Sequence, residues 1–312
     1  MHIIGLPNLG GSCYFNSCLQ TLLYNTRLYR ILTEHNNVKH NDEIINHFYT
    51  LQSMCINNLQ MNRGEFCSVV KKLYNEVITK SAWFQHGQQG DAVECIQFLL
   101  EHFHEQIKRP VRMTLNNRNT FPKDQIDAFD EWKKQYSNEY SGIIRCFHGQ
   151  YQSILVCVSC QKKTYRYESF GNIALAVDDT CNTVDDCMRI HTNPEEIEGS
   201  CEYCKSMDSR TRTLQFCILP KFLCIKLRTI NYKTTRKQEI NIDKILQTKL
   251  GTYHLVSIIY HEGALNSGHY YTYNNLNKKH VMLNDKSIHM ISETEVSSQN
   301  ACVLWYRMAD SV

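Results

Sequence analysis

The run Gly5-Leu6-Pro7-Asn8-Leu9-Gly10-Gly11-Ser12-Cys13-Tyr14-Phe15-Asn16-Ser17-Cys18-Leu19-Gln20 sets a cysteine where a glycine-rich turn meets a helix. Apolar residues then recur at Phe15, Cys18, Leu19, Leu22 and Leu23, the spacing of one buried helical face. A thiol at that place feels the unpaired N–H groups and the positive dipole end of the helix, which favour the thiolate. Gly10 and Gly11 allow the backbone to approach a reacting carbonyl closely. Asn8, just upstream, carries an amide suited to a developing oxyanion. Taken alone, a cysteine at a helix start is more often a small apolar core residue. The motifs downstream decide otherwise.

A chain of 312 residues can bury a substantial core, and it lies between one large domain and two small ones. Its hydrophobic share of 42% is that of a globular protein, and no run reaches the roughly 18 apolar residues of a membrane helix. Residues 1–4 are too short for a secretory leader. With no secretory signal visible, an intracellular, reducing compartment, cytoplasm or nucleus, is expected. A formal charge of +3 is too small to argue for nucleic acid. The 15 cysteines, without a secretion signal, read as a nucleophile, metal ligands and core thiols rather than a disulfide framework.

Helical periodicity is expected over 15–34, 42–57, 64–78 and 90–108, a loop over 109–125, and a further helix over 126–140. From about residue 150 the period changes to two. Strands are expected at 150–157, 164–167, 173–177, 211–217, 222–230, 253–260, 269–274, 280–283 and 301–307. Helices first and strands after imply an α+β fold.

Two Cys-x-x-Cys pairs follow, Cys157-Val-Ser-Cys160 and Cys201-Glu-Tyr-Cys204. Together they supply four thiolates on short turns, which a closed tetrahedral zinc site requires. Their separation puts a hairpin region between them. With all four positions taken, such a zinc is structural. A thioredoxin-like redox pair is the competing reading, and it lacks its βαβ setting.

His269, preceded by Gly268, opens a strand after the glycine-containing loop that begins at His261. A histidine at the mouth of a hairpin is placed to meet a thiol brought by a helix N-terminus, and His261 is the runner-up base. In Leu283-Asn284-Asp285-Lys286-Ser287, either Asn284 or Asp285 has the chemistry to accept from the imidazole N–H and fix its tautomer. The same residues also suit a simple turn. Last, Gln88-Gln89-Gly90-Asp91-Ala92-Val93-Glu94 precedes the stripe Cys95, Ile96, Leu99, Phe103. Asp91 and Glu94 read either as a helix-capping pair or as an acidic pair that grips a basic peptide.

In this order, the motifs resemble the ubiquitin-specific proteases, a family of papain-like cysteine deubiquitinases, over nearly the whole chain. The Cys box spans Gly5 to Gln20, the second motif Gln89-Gly90-Asp91-Ala92-Val93-Glu94, and the His box Gly268-His269-Tyr270. The stretch from Phe147 to Cys160, the pairs Leu219-Pro220 and Lys226-Leu227-Arg228, and the final Val303-Leu304-Trp305-Tyr306 match as well.

The resemblance implies Cys13 as nucleophile, His269 as general base, Asn284 as orienter with Asp285 beside it, and Asn8 in the oxyanion hole. It implies Asp91, Glu94, Gln89, Gly268 and Tyr270 as contacts to the tail of ubiquitin, and one structural Zn2+ on Cys157, Cys160, Cys201 and Cys204. The fold implied is a right hand: a helical thumb over about 1–140, zinc-tipped fingers over about 145–225, and a β-rich palm over about 226–312. The whole is a single catalytic domain acting as a monomer on ubiquitin conjugates, with no cofactor in the chemistry.

Four positions depart from the pattern: Gly11 and Ser12 before the nucleophile, Gly90 where a second glutamine is usual, and Thr229 in place of a phenylalanine. A protease for another ubiquitin-like modifier and a silent ubiquitin-binding module are the competing functions.

Overall fold

The computed structural model describes residues 2–36, 42–57, 62–207, 209–228, 239–264 and 267–309. Among these residues the helices are α1 (Cys13–Leu23), α2 (Thr26–Asn36), α3 (Glu43–Ile56), α4 (Arg63–Lys80), α5 (Ala92–Ile107), α6 (Lys123–Tyr136), α7 (Gly142–Phe147) and α8 (Val184–Thr192). The strands are β1 (Gly149–Cys157), β2 (Lys163–Phe170), β3 (Ile173–Ala176), β4 (Glu195–Ile197), β5 (Arg210–Ile218), β6 (Phe222–Arg228), β7 (Ile245–Thr248), β8 (Gly251–Ala264), β9 (Ser267–Leu276), β10 (Lys279–Asn284), β11 (Ser287–Ile291) and β12 (Ala301–Met308). Helices before strands is the expected α+β order. No described helix is long and apolar enough to cross a membrane.

The chain forms two compact units. The first joins Met1–Ile107 to Ile225–Leu227 and His254–Arg307, and the second holds Lys108–Cys224, Arg228–Tyr253 and Met308–Val312. In the first, strands run in the order β11-β10-β9-β8-β12 with the centre of β6 beyond, and α1 lies against β9 and β10 on one side and α3 and α5 on the other. Phe15 meets Tyr74 edge-on at 5.2 Å, and Phe48 meets Phe103 at 4.8 Å, so aromatic area fills the helical side of the core. In the second unit, β2-β1-β5-β4 forms an antiparallel sheet, with Trp132, Tyr136 and Ile144 gathered in a small cluster of their own.

The helix expected over 15–34 is two helices. Asn25 stops the first and starts the second: its Oδ1 accepts from the N–H groups of Arg27 and Leu28. The carbonyls left over at the end of α1 are met by Gln52 from α3, whose buried amide donates to Leu22 O at 3.1 Å.

The sequence also implied one buried face for α1, yet every residue from Cys13 to Leu23 is buried. Protein groups replace water for several of the polar positions, although Asn16 Oδ1 and Gln20 Oε1 are buried without a hydrogen-bond partner among the described residues. Thr272 Oγ1 donates to Ser17 O, Asn274 Nδ2 to Gln20 O at 2.9 Å, and Gln20 Nε2 to Ile4 O at 2.8 Å. The short elements α7, α8, β4, β7 and β11 were not expected, being too brief to show a period. Position Thr229 and the end of the strand expected to 230 lie outside the described residues.

Asp42 anchors the helical layer. Its carboxylate caps α3 at Ile45 N–H, pairs with Lys80 Nζ at 2.8 Å, and meets His102 Nε2 at 2.9 Å. Burial alone pushes the carboxyl up, but Lys80, His102 and the Ile45 N–H outweigh it and hold it at about 2. A depressed carboxyl stabilises the fold above its unfolded pKa of about 4, and the contribution is lost as pH falls through 4 toward 2. Asp42→Asn should therefore cost about 2 kcal/mol at pH 7, and the gap to wild type should close below pH 4. Urea titrations at pH 7 and pH 3 check this; an equal gap at both would refute the ionic assignment.

Candidate active site

Cys13 is the first residue of α1 and is buried. Gly10 and Gly11 lead into it at φ 87° and 65°, left-handed values that glycine adopts without strain. Within that turn, Gly10 N–H donates to Asn8 Oδ1 at 2.9 Å and Leu9 N–H to Ser12 Oγ at 2.8 Å. Because Ser12 faces Leu9, no side chain caps the start of α1. Its first N–H groups are left for whatever sits beside the thiol.

His269 stands near the start of β9, opposite Glu262 on β8. Its Nε2 lies 2.7 Å from Asn284 Oδ1 at the end of β10. An amide oxygen only accepts, so Nε2 carries the proton and Nδ1 keeps its lone pair. Strand β9 reaches α1 through the Thr272 and Asn274 bonds already described, which sets the His269 end of the strand beside the Cys13 end of the helix. His261 pairs with Tyr270, so strand alternation places it on the sheet face opposite to His269. There it packs on the Tyr270 ring at 4.4 Å.

Asp285 does not share the histidine with Asn284. It occupies the tight turn between β10 and β11 at φ 47°, and its carboxylate accepts from Asn8 Nδ2 at 2.8 Å and Asn16 Nδ2 at 2.6 Å. Its backbone carbonyl takes Leu6 N–H at 2.8 Å. One N–H of Asn8 is thus committed to Asp285. Asn16, one helical turn past Cys13, had no role in the sequence reading. The available signal was a polar residue inside a helix that the fold buries completely.

The acidic pair divides. Asp91 caps α5 through Val93 N–H and Glu94 N–H, and its other oxygen pairs with Lys226 Nζ at 2.7 Å. Lys226 was read only as part of a strand motif. Glu94 is exposed. Burial first, then the Cys302, Asp91, Cys13 and Glu94 groups, push the Tyr270 phenol up, so it stays neutral. Gln89 and Gly268 hold each other: Gly268 N–H donates to Gln89 Oε1 at 3.0 Å, and Gln89 Nε2 donates to Gly268 O.

In the second unit the two Cys-x-x-Cys turns are built alike. Cys157 N–H donates to Lys162 O and Gln161 N–H to Cys157 O; Cys201 N–H donates to Ser206 O and Lys205 N–H to Cys201 O. Gln161 and Lys205, following the second cysteine of each turn, take φ 56° and 59°. Sulfur atoms face across the pair, Cys157 to Cys204 at 3.8 Å and Cys160 to Cys201 at 3.7 Å, and all four lie within 4.8 Å of one another. These gaps are far beyond a disulfide bond, and they fit four sulfurs at about 2.3 Å from a tetrahedral zinc, which lie about 3.8 Å apart. The backbone N–H groups of Cys204 and Tyr203 draw the Cys201 thiol down, while at Cys160 the Lys162 N–H is outweighed by burial and the neighbouring sulfurs, which push that thiol up.

A family model described as ubiquitin carboxyl-terminal hydrolase matches residues 4–306. Ubiquitin carboxyl-terminal hydrolase 2 of Bos taurus is 24% identical over 98% of this chain and 55% of its own length. Ubiquitin carboxyl-terminal hydrolase 4 of Eremothecium gossypii is 25% identical over 99% of this chain and 43% of its own. The chain thus spans about half the length of these curated relatives. Among solved structures, the Ubp8 chain of the SAGA DUB module bound to monoubiquitin shares the fold at a TM-score of 0.77, with 20% identity over 99% of this chain and 70% of that one.

The contact that ties these parts together involves Gly5. A Cβ there would sit 2.3 Å from the Lys286 carbonyl oxygen, in the turn that carries Asp285. Gly5→Ala should displace that turn and cost about 1–3 kcal/mol, the range for overpacking. Gly171→Ala, whose new methyl would meet His148 at an ordinary 3.6 Å, is the control and should be near neutral. Equal denaturation midpoints for the two variants would show that the junction yields freely.

Proposed function

The chain belongs to the ubiquitin carboxyl-terminal hydrolase family, and from that premise we propose that it is a thiol-dependent deubiquitinase, hydrolysing the peptide or isopeptide bond after the last glycine of ubiquitin. The observation that carries the reading is the 2.7 Å bond from His269 Nε2 to Asn284 Oδ1, on a strand stitched to the helix that opens with Cys13. It leaves His269 Nδ1 to take the thiol proton.

In this reaction the Cys13 sulfur attacks the glycine carbonyl, and His269 holds the proton it has received. The oxyanion meets the free N–H of the Asn8 amide and the uncapped N–H groups at the start of α1, donors worth about a hundredfold or more in rate. His269 then protonates the departing lysine amine as its bond to carbon breaks. A water, giving one proton to His269, attacks the thioester; the carbon–sulfur bond breaks, the Cys13 sulfur takes the proton back from His269, and ubiquitin leaves as its carboxylic acid, which ionises. Asp285 serves the chemistry through Asn8, whose amide it fixes, rather than through the histidine.

A basic tail would meet Glu94 and the shared carboxylate of Asp91, with Tyr270 donating nearby. Related structures carry ubiquitin or ubiquitin aldehyde, which supports ubiquitin as the partner. Cys157, Cys160, Cys201 and Cys204 would hold one zinc with no ligand position open, so the metal would act on folding alone. The division into thumb, fingers and palm, the monomeric state and a reducing cytoplasmic or nuclear setting belong to the same proposal.

Cys13→Ala should cut turnover of a fluorogenic ubiquitin substrate by about a thousandfold or more while ubiquitin still binds. His269→Ala should be comparable, Asn284→Ala milder at about ten- to a hundredfold, and His261→Ala within about threefold. A reversed order for the two histidines would move the base to His261. A panel of ubiquitin-like substrates, with an electrophilic ubiquitin probe, separates a deubiquitinase from a protease for another modifier and from a silent binding module.

Elemental analysis should find one zinc per chain, and Cys160→Ser should lose most of it and loosen the knuckle region to hydrogen exchange. A zinc-free preparation that is folded and active would overturn the metal assignment.

A further inference from the structure

We propose that Gln89 is a positioning residue that sets the distance between His269 and Cys13, rather than a contact to the substrate; the inference rests on the reading of those two residues as base and nucleophile. Both halves of its amide are already committed to one residue, Gly268, immediately before His269. β9 pairs with β10 only from Thr272 onward, so Gln89 supplies the partner for both backbone groups of Gly268. One side chain thus does there what a neighbouring strand does further along.

The loop carrying Gln89 also presses on the nucleophile. A Cβ on Gly11 would meet Gly87 and Gln88 backbone atoms at 3.2 Å, so the loop runs directly against the turn before Cys13. A Cβ on Gly90 would come within 2.9 Å of the Tyr14 ring, the residue after Cys13. This contact explains why glycine stands at 90, where the family pattern has a larger residue. Downstream the loop is pinned by Asp91, which caps α5 and pairs with Lys226. Segment 87–91 is therefore a strut with one side on the residues flanking Cys13 and the other on the residue preceding His269. Gln89 is exposed, so it can be changed without opening the core.

The test uses Gln89→Ala and Gln89→Met, the second keeping most of the volume while losing both hydrogen bonds. Two measurements are made on the full chain. One is the kcat and KM of a fluorogenic ubiquitin substrate. The other is the rate at which iodoacetamide alkylates Cys13 at pH 7, read by peptide mass spectrometry, with His269→Ala as the benchmark for a thiol without its base. A misplaced base should lower kcat about tenfold with KM within about twofold. Cys13 alkylation should slow several-fold toward the benchmark, with the melting temperature unchanged.

A raised KM with kcat intact would make Gln89 a substrate contact and overturn the proposal. Unchanged alkylation in both variants would overturn it whatever the kinetics. Alkylation needs no ubiquitin, so it decides the point even if the chain proves to act on another modifier.

Discussion

The carboxylate of Asp285 is the contact on which the geometry around Cys13 depends. It receives one N–H from Asn8 and one from Asn16, while the same residue's carbonyl receives Leu6 N–H. Three segments meet there: the turn before the nucleophile, the helix after it, and the hairpin turn that follows Asn284. Two charge-assisted bonds to a single side chain are stronger than the neutral bonds of an ordinary loop contact. The close approach is possible only because Gly5 has no Cβ to strike Lys286. A left-handed residue at the turn, Asp285 at φ 47°, completes the fit.

The helix that begins at Cys13 lives under an unusual condition, being buried on all sides. Apolar residues face α3 and α5, while Asn16, Ser17, Gln20 and Thr21 face backbone and side-chain groups that replace water. Each such bond costs more to lose than it contributes when made, because a broken one leaves a buried group unsatisfied. That asymmetry fixes both the rotation and the depth of α1. The helix that carries the thiol at its first position is held to the sheet by hydrogen bonds from Thr272 and Asn274 to Ser17 O and Gln20 O, on the same strand that presents His269.

Within the second unit, the two cysteine turns repeat one pattern of backbone bonds and one left-handed residue. Each turn presents its two sulfurs on the same side, so two of them face to face generate a tetrahedron. β1, which runs into the first turn, and β5, which leaves the second, pair antiparallel from Tyr151 opposite Phe216 to Cys157 opposite Arg210. The sheet thereby sets where the sulfurs meet.

Much of this was legible in the sequence, because the determining features are local. A glycine turn before an apolar period, two Cys-x-x-Cys pairs, a Gly-His at a strand start and the shift of period near residue 150 each express a short-range rule. They were sufficient for the α+β order and the family. The sequence left Asn284 and Asp285 as alternatives and let Asp91 read as either cap or acidic grip, because a pattern cannot say what lies across a turn. Tertiary structure placed Asn284 on the histidine, gave Asp285 to Asn8 and Asn16, joined Asp91 to Lys226 and turned Gln89 onto Gly268. It also buried the polar side of α1, whereas the break of the expected helix at Asn25 is a local cap. Each of these tertiary contacts depends on partners far apart in the chain, and where they meet is decided only when the sheet closes on the helix.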